Sequence, residues 1–279
     1  MRTRLALLLA ALASPAGASD VKAPPRVQVH ASLTAAAATG VQAVSLARQY
    51  AAQLPVAEAQ MKALFSGLGE VTARAKSAES VAVKLASGKD LRDGVGARLT
   101  LRDGSAAGVE GFVERAIDAL RSGQLQALSL SNFRAREAGR PYLDDEQYAR
   151  LAEAAAADNP RAWIRPNDDP KSLIPAGYTA VHMNVTFANG ARGELQVRGR
   201  HVHELAELEH AAYNVRRGKL AAGDVSGISA LEAHQREAHL AYLSELYRHA
   251  RVKEIHGVQA AGPIPALPAS LPAELALVP

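Results

Sequence analysis

The chain has 279 residues, 48% of them hydrophobic, 22% charged and 4% aromatic, with no cysteine. That composition excludes a disordered tail, a coiled-coil rod and a disulfide-stapled miniprotein, and at roughly 150 residues per domain it leaves room for one large domain or two small ones. The net charge of +4, or +2 without Arg2 and Arg4, is too mild to identify a nucleic-acid binder by charge alone.

Residues 1–18 have the order of a secretory leader: Arg2 and Arg4, an apolar run from Leu5 to Ala13, and Ala16-Gly17-Ala18 as a small-residue cleavage site before Ser19-Asp20. The run is well short of the roughly 20 residues a bilayer span needs, so the expectation is export without an anchor, and no other segment reads as membrane-crossing. A helical segment, 19–70, follows. It holds a helix over 31–53 with Val41, Val44, Ala47 and Ala51 on one stripe, a break at Pro55, and a second helix from Ala57 to Leu68. A third helix is predicted from about Glu70 to Ala86. Ala97, Leu99 and Leu101 then alternate with Gly96, Arg98 and Thr100, the period of a half-buried strand.

The stretch 104–169 reads as mostly helical. Val109, Phe112, Val113, Ala116, Ile117 and Leu120 form one amphipathic face, and Asp144–Ala157 carries another. A hairpin comes next: Val181, Met183, Val185 and Phe187 alternate with polar residues, Asn189-Gly190 makes the turn, and Leu195 and Val197 continue the pattern. Helices are predicted over His201–Arg217 and about Ile228–Glu254, before a Pro- and Ala-rich tail, 257–279, that reads as loosely ordered.

If the apolar residues of the hairpin face a helix layer, His182, Glu194, Gln196 and Arg198 share the other face. Such a face is either solvated surface or a site. The neighbouring strand adds Arg98, with Asp93 just before it. Asp93 and Glu194, converging from adjacent strands, could hold Mg²⁺, which prefers hard oxygen ligands and bridging phosphates. Upstream, Arg74, Lys76 and Lys84 are placed to grip a polyphosphate; taken singly, each is an ordinary helix charge.

Four blocks in order carry a resemblance: Arg74-x-Lys76-x-x-x-Ser80-Val81-x-x-Lys84, Asp93-Gly-Val-Gly-Ala-Arg98, Gly177-Tyr178-x-x-Val-His182 and Glu194-Leu-Gln196-Val-Arg198. Together with the helix through His203, Glu207, His210 and Tyr213, they make residues 71–220 similar to the RelA/SpoT alarmone synthetase family, with one large helical insertion at about 104–169. The resemblance implies an α+β fold, a small mixed β-sheet flanked by helices (a RelA/SpoT-like nucleotidyltransferase fold), here with extra helices at both ends, 19–70 and 221–256. It also implies a single-activity synthetase without the family's hydrolase domain. The implied reaction moves pyrophosphate from ATP to the 3′-hydroxyl of a purine nucleotide. Arg74, Lys76, Ser80, Lys84 and Arg98 would bind ATP, and Asp93 and Glu194 would hold Mg²⁺, with Glu194 also placed to accept the hydroxyl proton. Tyr178 would stack on the acceptor base, with His182, Lys171, Gln196 and Arg198 around it.

Two departures bear on the acceptor. Lys171 is followed by Ser-Leu-Ile-Pro-Ala before Gly177-Tyr178, and Ala176 stands where the family has Asn. GDP or GTP is therefore joined by adenine nucleotides as a candidate acceptor. A tRNA 3′-end is the competing acceptor, for which Arg192, Arg198, Arg200, Arg216, Arg217 and Lys219 offer a basic patch. Another possibility is an exported interaction module on an inactive scaffold. His203 and Glu207, at i and i+4, also suggest zinc, although packed or hydrogen-bonded histidines are the simpler reading. An exported enzyme of this kind would act as a toxin on a recipient cell's nucleotides, with a delivery or immunity partner. Tyr242 and Tyr247 are expected in the core.

Overall fold

The computed structural model describes residues 26–88, 91–135, 142–216 and 233–276; residues 1–18, expected to be a leader, lie outside them. Helix α1 (Arg26–Leu64) leads into strand β1 (Gly69–Ala75), helix α2 (Ala78–Ala86), β2 (Val95–Leu101), α3 (Ala106–Arg121) and β3 (Leu125–Ala135). Then come α4 (Asp145–Asp158), the two-residue strands β4 (Trp163–Ile164) and β5 (Leu173–Ile174), and the hairpin β6 (Ala180–Phe187) and β7 (Arg192–Gly199). The chain finishes with α5 (Arg200–Arg216), α6 (Ala233–His256) and the short α7 (Val258–Ala261).

The strands form a mixed sheet in the order β1-β2-β7-β6-β3-β4, with β5 paired to the end of β3. β2 and β7 are parallel; β1–β2, β7–β6 and β6–β3 are antiparallel. This is the α+β architecture expected from the sequence. One face of the sheet is apolar: Ala97, Leu99, Val181, Met183, Val185, Leu195 and Val197 pack with Met61 and Phe65 at the end of α1, Phe112 and Val113 of α3, and Leu151 of α4, all buried. The opposite face is polar and open along most of its length.

Several local expectations change. Pro55 does not interrupt α1, which runs through it. A proline inside a helix costs about 3 kcal/mol, but Ala43 and Tyr50 before it and Ala57 and Met61 after it are all buried, so packing on both sides holds the helix continuous. The second helix, expected to reach Leu68, is the end of α1 and stops at Leu64. The helix expected over Glu70–Ala86 is a strand followed by a shorter helix. Val71, Ala73 and Ala75 alternate with Glu70, Thr72 and Arg74 and pair with β2 from Gly69↔Leu101 to Ala75↔Val95. Ser77 then caps α2 by accepting from the Ser80 amide at 3.3 Å.

The stretch 104–169 is not mostly helical. Its two amphipathic helices stand where expected, with Val109, Phe112, Val113, Ala116, Ile117 and Leu120 buried and an Asp144/Gln147 capping box starting α4. Between them, however, lies β3, the long strand that carries β4, β5 and β6. Its pairing with β6 shifts register between Ala127 and Ser129, and such a bulge breaks the two-residue alternation that would have marked the strand. The tail packs rather than trails: Leu271 and Leu275 are buried, and Leu267 and Leu271 close over Val202, Leu205, Tyr242, Leu246 and Tyr247 of α5 and α6. Tyr242 and Tyr247 are thus core residues, as expected.

Candidate active site

Register assigns the polar face row by row. Arg74, Gly96, Glu194, Asn184 and Ser129 form one row, and Thr72, Arg98, Gln196, His182 and Ser131 the next. At the β1–β2 end, the turn of Asp93 and Gly94 is set by a close approach. A Cβ on Gly94 would lie 2.2 Å from the Tyr50 ring, so only glycine lets α1 pass beneath the turn. The Lys76 amide donates to the Gly94 carbonyl at 2.9 Å and fixes the turn from the other side.

Asp93 receives both lysines on one oxygen: Lys76 Nζ at 2.7 Å and Lys84 Nζ at 2.6 Å from Oδ2. Its Oδ1 is buried and unpartnered. Arg74 lies exposed over Gly96. Ser80 stands in the first turn of α2, its hydroxyl 3.2 Å from that of Ser77. The polyphosphate residues of the sequence are therefore brought together, on a strand, a turn and a helix rather than along one helix.

Glu194 is the centre of the second group. His182 Nδ1 lies 3.1 Å from its Oε1, and Gln196 donates to its Oε2 at 2.8 Å. Burial alone would raise its pKa; the charge and hydrogen bond of His182, the Gln196 bond and the nearby Lys76 charge outweigh that and hold the carboxyl at about 2. Lys76 is thus bonded to one acid and felt by the other, which links the two carboxylates. On the other side of the ring, His182 Nε2 lies 3.2 Å from the Tyr178 hydroxyl. Tyr178 sits edge-on to His182 and Tyr247, with the Arg198 guanidinium 5.8 Å from its ring centroid. Burial raises its phenol pKa.

The two arginines of this face are already paired. Arg98 and Arg198 both bond Glu207 Oε1, at 2.8 and 2.9 Å, and Arg198 also reaches His203 Nδ1 at 2.9 Å. Burial and the neighbouring Arg198 charge lower the Arg98 pKa. Burial would raise Glu207, but the two guanidiniums pull it below the ordinary carboxylate range. The sequence marked Glu207 only as a partner in a zinc pair, not as the anchor of both arginines. No local signal marks that role, because it depends on how α5 lies against β2 and β7.

Within the candidate zinc pair, His203 Nδ1 lies 2.9 Å from the Arg198 guanidinium and Glu207 is bonded by both Arg98 and Arg198. Arg198, buried at 3% exposure, does not belong to a surface patch. Arg192 and Arg200 are exposed, while Arg217 and Lys219 lie outside the described residues. Lys171 is exposed on a short turn, where its amide bonds Asp169; no described contact joins it to the cluster. For Mg²⁺, the donor set fits: two carboxylates linked through one lysine, with a buried Asp93 oxygen free to ligate, suit an ion that takes one or two protein carboxylates and completes its shell with phosphate and water.

Fold and face together define a class: an α+β protein whose mixed sheet carries linked carboxylates and a cradle of cations on its open side. No family model matches the chain, and neither does any curated protein. Among solved structures, it is similar to a GTP pyrophosphokinase family protein from Streptococcus pneumoniae, at 16% identity over 72% of this chain and 92% of that one, with a TM-score of 0.40. The small alarmone synthetase 2 from Bacillus subtilis is matched at 14% identity over 70% and 82%, with a TM-score of 0.40. At these values the likenesses are only noted, and the chain's own residues carry the function proposed for it.

Proposed function

We infer that the protein is a pyrophosphokinase that moves the β,γ-pyrophosphate of ATP to the 3′-hydroxyl of a purine nucleotide. The observation that carries this is Asp93 Oδ2, which gathers Lys76 at 2.7 Å and Lys84 at 2.6 Å on the turn that leads into the strand paired with that of Glu194. It joins the phosphate cradle to the carboxylate pair at one place. Arg74, Lys76 and Lys84 would hold the triphosphate, with Ser80 at the first turn of α2. Mg²⁺ held by Asp93 and Glu194 would supply charge neutralisation at the phosphates. Tyr178 would orient the acceptor base, itself held by His182 and Tyr247.

The 3′-oxygen forms a bond to the β-phosphorus, the bond from that phosphorus to its α-bridging oxygen breaks, and AMP leaves. Such a transfer depends on positioning and fixed positive charge more than on covalent catalysis. A carboxyl held at about 2 stays ionised at neutral pH, so Glu194 stands as a permanent anion able to hold the metal and to receive the hydroxyl proton as the bond to phosphorus forms. Retention of two linked acids, needless in a passive interaction module, favours the enzyme.

The deciding experiment incubates the protein with ATP, Mg²⁺ and each of GDP, GTP, ADP and AMP, and identifies the products. A 3′-pyrophosphorylated nucleotide together with AMP is expected; ATP left intact in every mixture refutes the activity. Export and action on a recipient cell's nucleotides complete the proposal. They rest on the order of charge, apolar run and small residues in 1–18. Expression without residues 1–18 should arrest growth of the producing cell, and Glu194→Gln should relieve the arrest.

A further inference from the structure

Arg98 of β2 and Arg198 of β7 share a single carboxylate oxygen. Glu207 Oε1 lies 2.8 Å from one guanidinium and 2.9 Å from the other, yet the Nε of both arginines is buried without a hydrogen-bond partner. A guanidinium presents five donors in a rigid fork, and a buried donor left unpaired is costly. One carboxylate oxygen therefore under-fills the pair. Burial and the neighbouring Arg198 charge lower the Arg98 pKa, so the two cations oppose each other, and Glu207 supplies the counter-charge that lets them stand together.

The three groups are held unequally. Arg198 is 3% exposed; it is also fixed by His203 Nδ1 at 2.9 Å and lies 5.8 Å from the Tyr178 ring centroid. The Glu207 side chain, by contrast, is 51% exposed and reaches the pair from α5. It can leave by rotating about its own torsions, with no change in the backbone. The arginines would then remain as a preformed anion site, since paired guanidiniums match the oxygens of a phosphate. That site stands between two parts of the proposed reaction centre. Arg198 is beside Tyr178, and Arg98 is in register with Gln196, which bonds Glu194.

We propose that Glu207 is an internal competitor for a phosphate group: its carboxylate occupies the guanidinium pair in the free protein, and the 5′-phosphate chain of the acceptor nucleotide displaces it. The inference rests on the pyrophosphokinase reading for which nucleotide brings that phosphate. The exchange is uneven in the ligand's favour, because a terminal phosphate offers more acceptor oxygens and more charge than the carboxylate it replaces. Glu207 thereby determines specificity. An uncharged nucleoside has nothing with which to displace it, and each added phosphate strengthens the ligand against it.

The test measures binding of GDP and of ADP to the full chain by calorimetry, with no ATP present. Glu207→Gln keeps the length of the side chain and withdraws its charge. At least one of the two diphosphates should then bind about 5- to 30-fold more tightly, the scale of two half-exposed ion pairs no longer in competition. Glu204→Gln, which removes an exposed acid one turn earlier on α5, should change affinity by less than about twofold. The gain should shrink when Arg98→Gln is added, because one of the two contacts is then already gone. Circular dichroism should be unchanged throughout. Weaker or unaltered binding in Glu207→Gln overturns the competitor, since a residue that merely props the arginines for the ligand gives that result. An equal gain in Glu204→Gln, a gain undiminished by Arg98→Gln, or no binding of either diphosphate to any variant also overturns it. None of these readings needs turnover. Transfer from ATP with no gain in Glu207→Gln removes the competitor alone, whereas tighter diphosphate binding without transfer in any variant removes the enzymatic reading alone.

Discussion

Lys76 ties the turn before β2 to the end of β1. Its ammonium is bonded to Asp93 and lies close enough to Glu194 to stabilise that charge, so the acids are organised before any ligand arrives. Replacing Asp93 by Asn removes the anion that both lysines share and should lower pyrophosphoryl transfer about 100-fold or more, by the usual scale of a lost electrostatic contact at a reacting centre. Product chromatography checks this, with circular dichroism to show that the fold persists. Glu194 makes a pH prediction. Its folded pKa lies below its ordinary value, so its ionised form favours the folded state. That contribution is complete above the unfolded value near 4.5 and is lost as pH falls toward 2. At neutral pH it amounts to about 3 kcal/mol. Denaturant melts of wild type and Glu194→Gln from neutral pH to pH 2 should therefore differ by a constant gap that narrows only below about pH 5. A gap that does not narrow below pH 5 would show that Glu194 does not stabilise the fold through its charge. These residue identities were legible in the sequence, because strand alternation alone puts His182, Glu194 and Gln196 on one face. Glu207 was not recognised as a partner of both arginines, since nothing in local spacing says that α5 crosses over β2 and β7.

Turns and helices set where those side chains stand. Gly177 has φ +85°, and a Cβ there would lie 2.9 Å from Ser244 Cα on α6, so the residue before Tyr178 must be glycine on both counts. Gly177→Ala should cost about 1–3 kcal/mol, from the strained backbone and the displaced helix, and lower the urea midpoint with its slope unchanged. Tyr247 presses on Tyr178 edge-on and bonds Glu209 at 2.6 Å, which makes α6 the wall behind Tyr178. At this scale the sequence was read correctly wherever one periodicity ran uninterrupted, as in β2, the β6–β7 hairpin, α3 and α4. It was misread where two signals met. Val71-Thr72-Ala73-Arg74 is too short to outweigh the helical residues after Ser77, and the bulge at Ala127 and Ser129 hides the central strand.

Across the whole molecule, one sheet separates two jobs. Its apolar side, closed by α1, α3 and α4, supplies the core; Leu99 and Leu195 are fully buried there, and truncating either to Ala should cost about 2–5 kcal/mol in calorimetry or denaturant melts. Its polar side is walled at one end by α5 and α6, which are locked to the sheet by a buried pair. Glu254 accepts from the Val202 amide at 2.9 Å and from Arg251 at 3.0 Å, and Arg251 also bonds the Gly104 carbonyl at 2.8 Å. Arg251→Met leaves Glu254 charged and unpaired inside the protein, at a cost of about 3–5 kcal/mol. A melting temperature unchanged in that variant would mean that α6 is not held by this pair. Burial raises the Glu254 pKa even with Arg251 beside it, which marks how little solvent the joint admits. No described helix is long and apolar enough to cross a membrane.

By itself the sequence determined the α+β class, the hairpin, the faces of its strands and the residues able to carry phosphate chemistry, because alternation and helical period are local properties that a few residues specify. Only the tertiary structure decided which of those residues meet. Strand order brings β2 beside β7 in parallel across nearly a hundred residues, gathers Lys76 and Lys84 on Asp93, commits Arg98 and Arg198 to Glu207 and carries Trp163 onto the same face. Such contacts depend on how distant segments stack, and no local pattern encodes that.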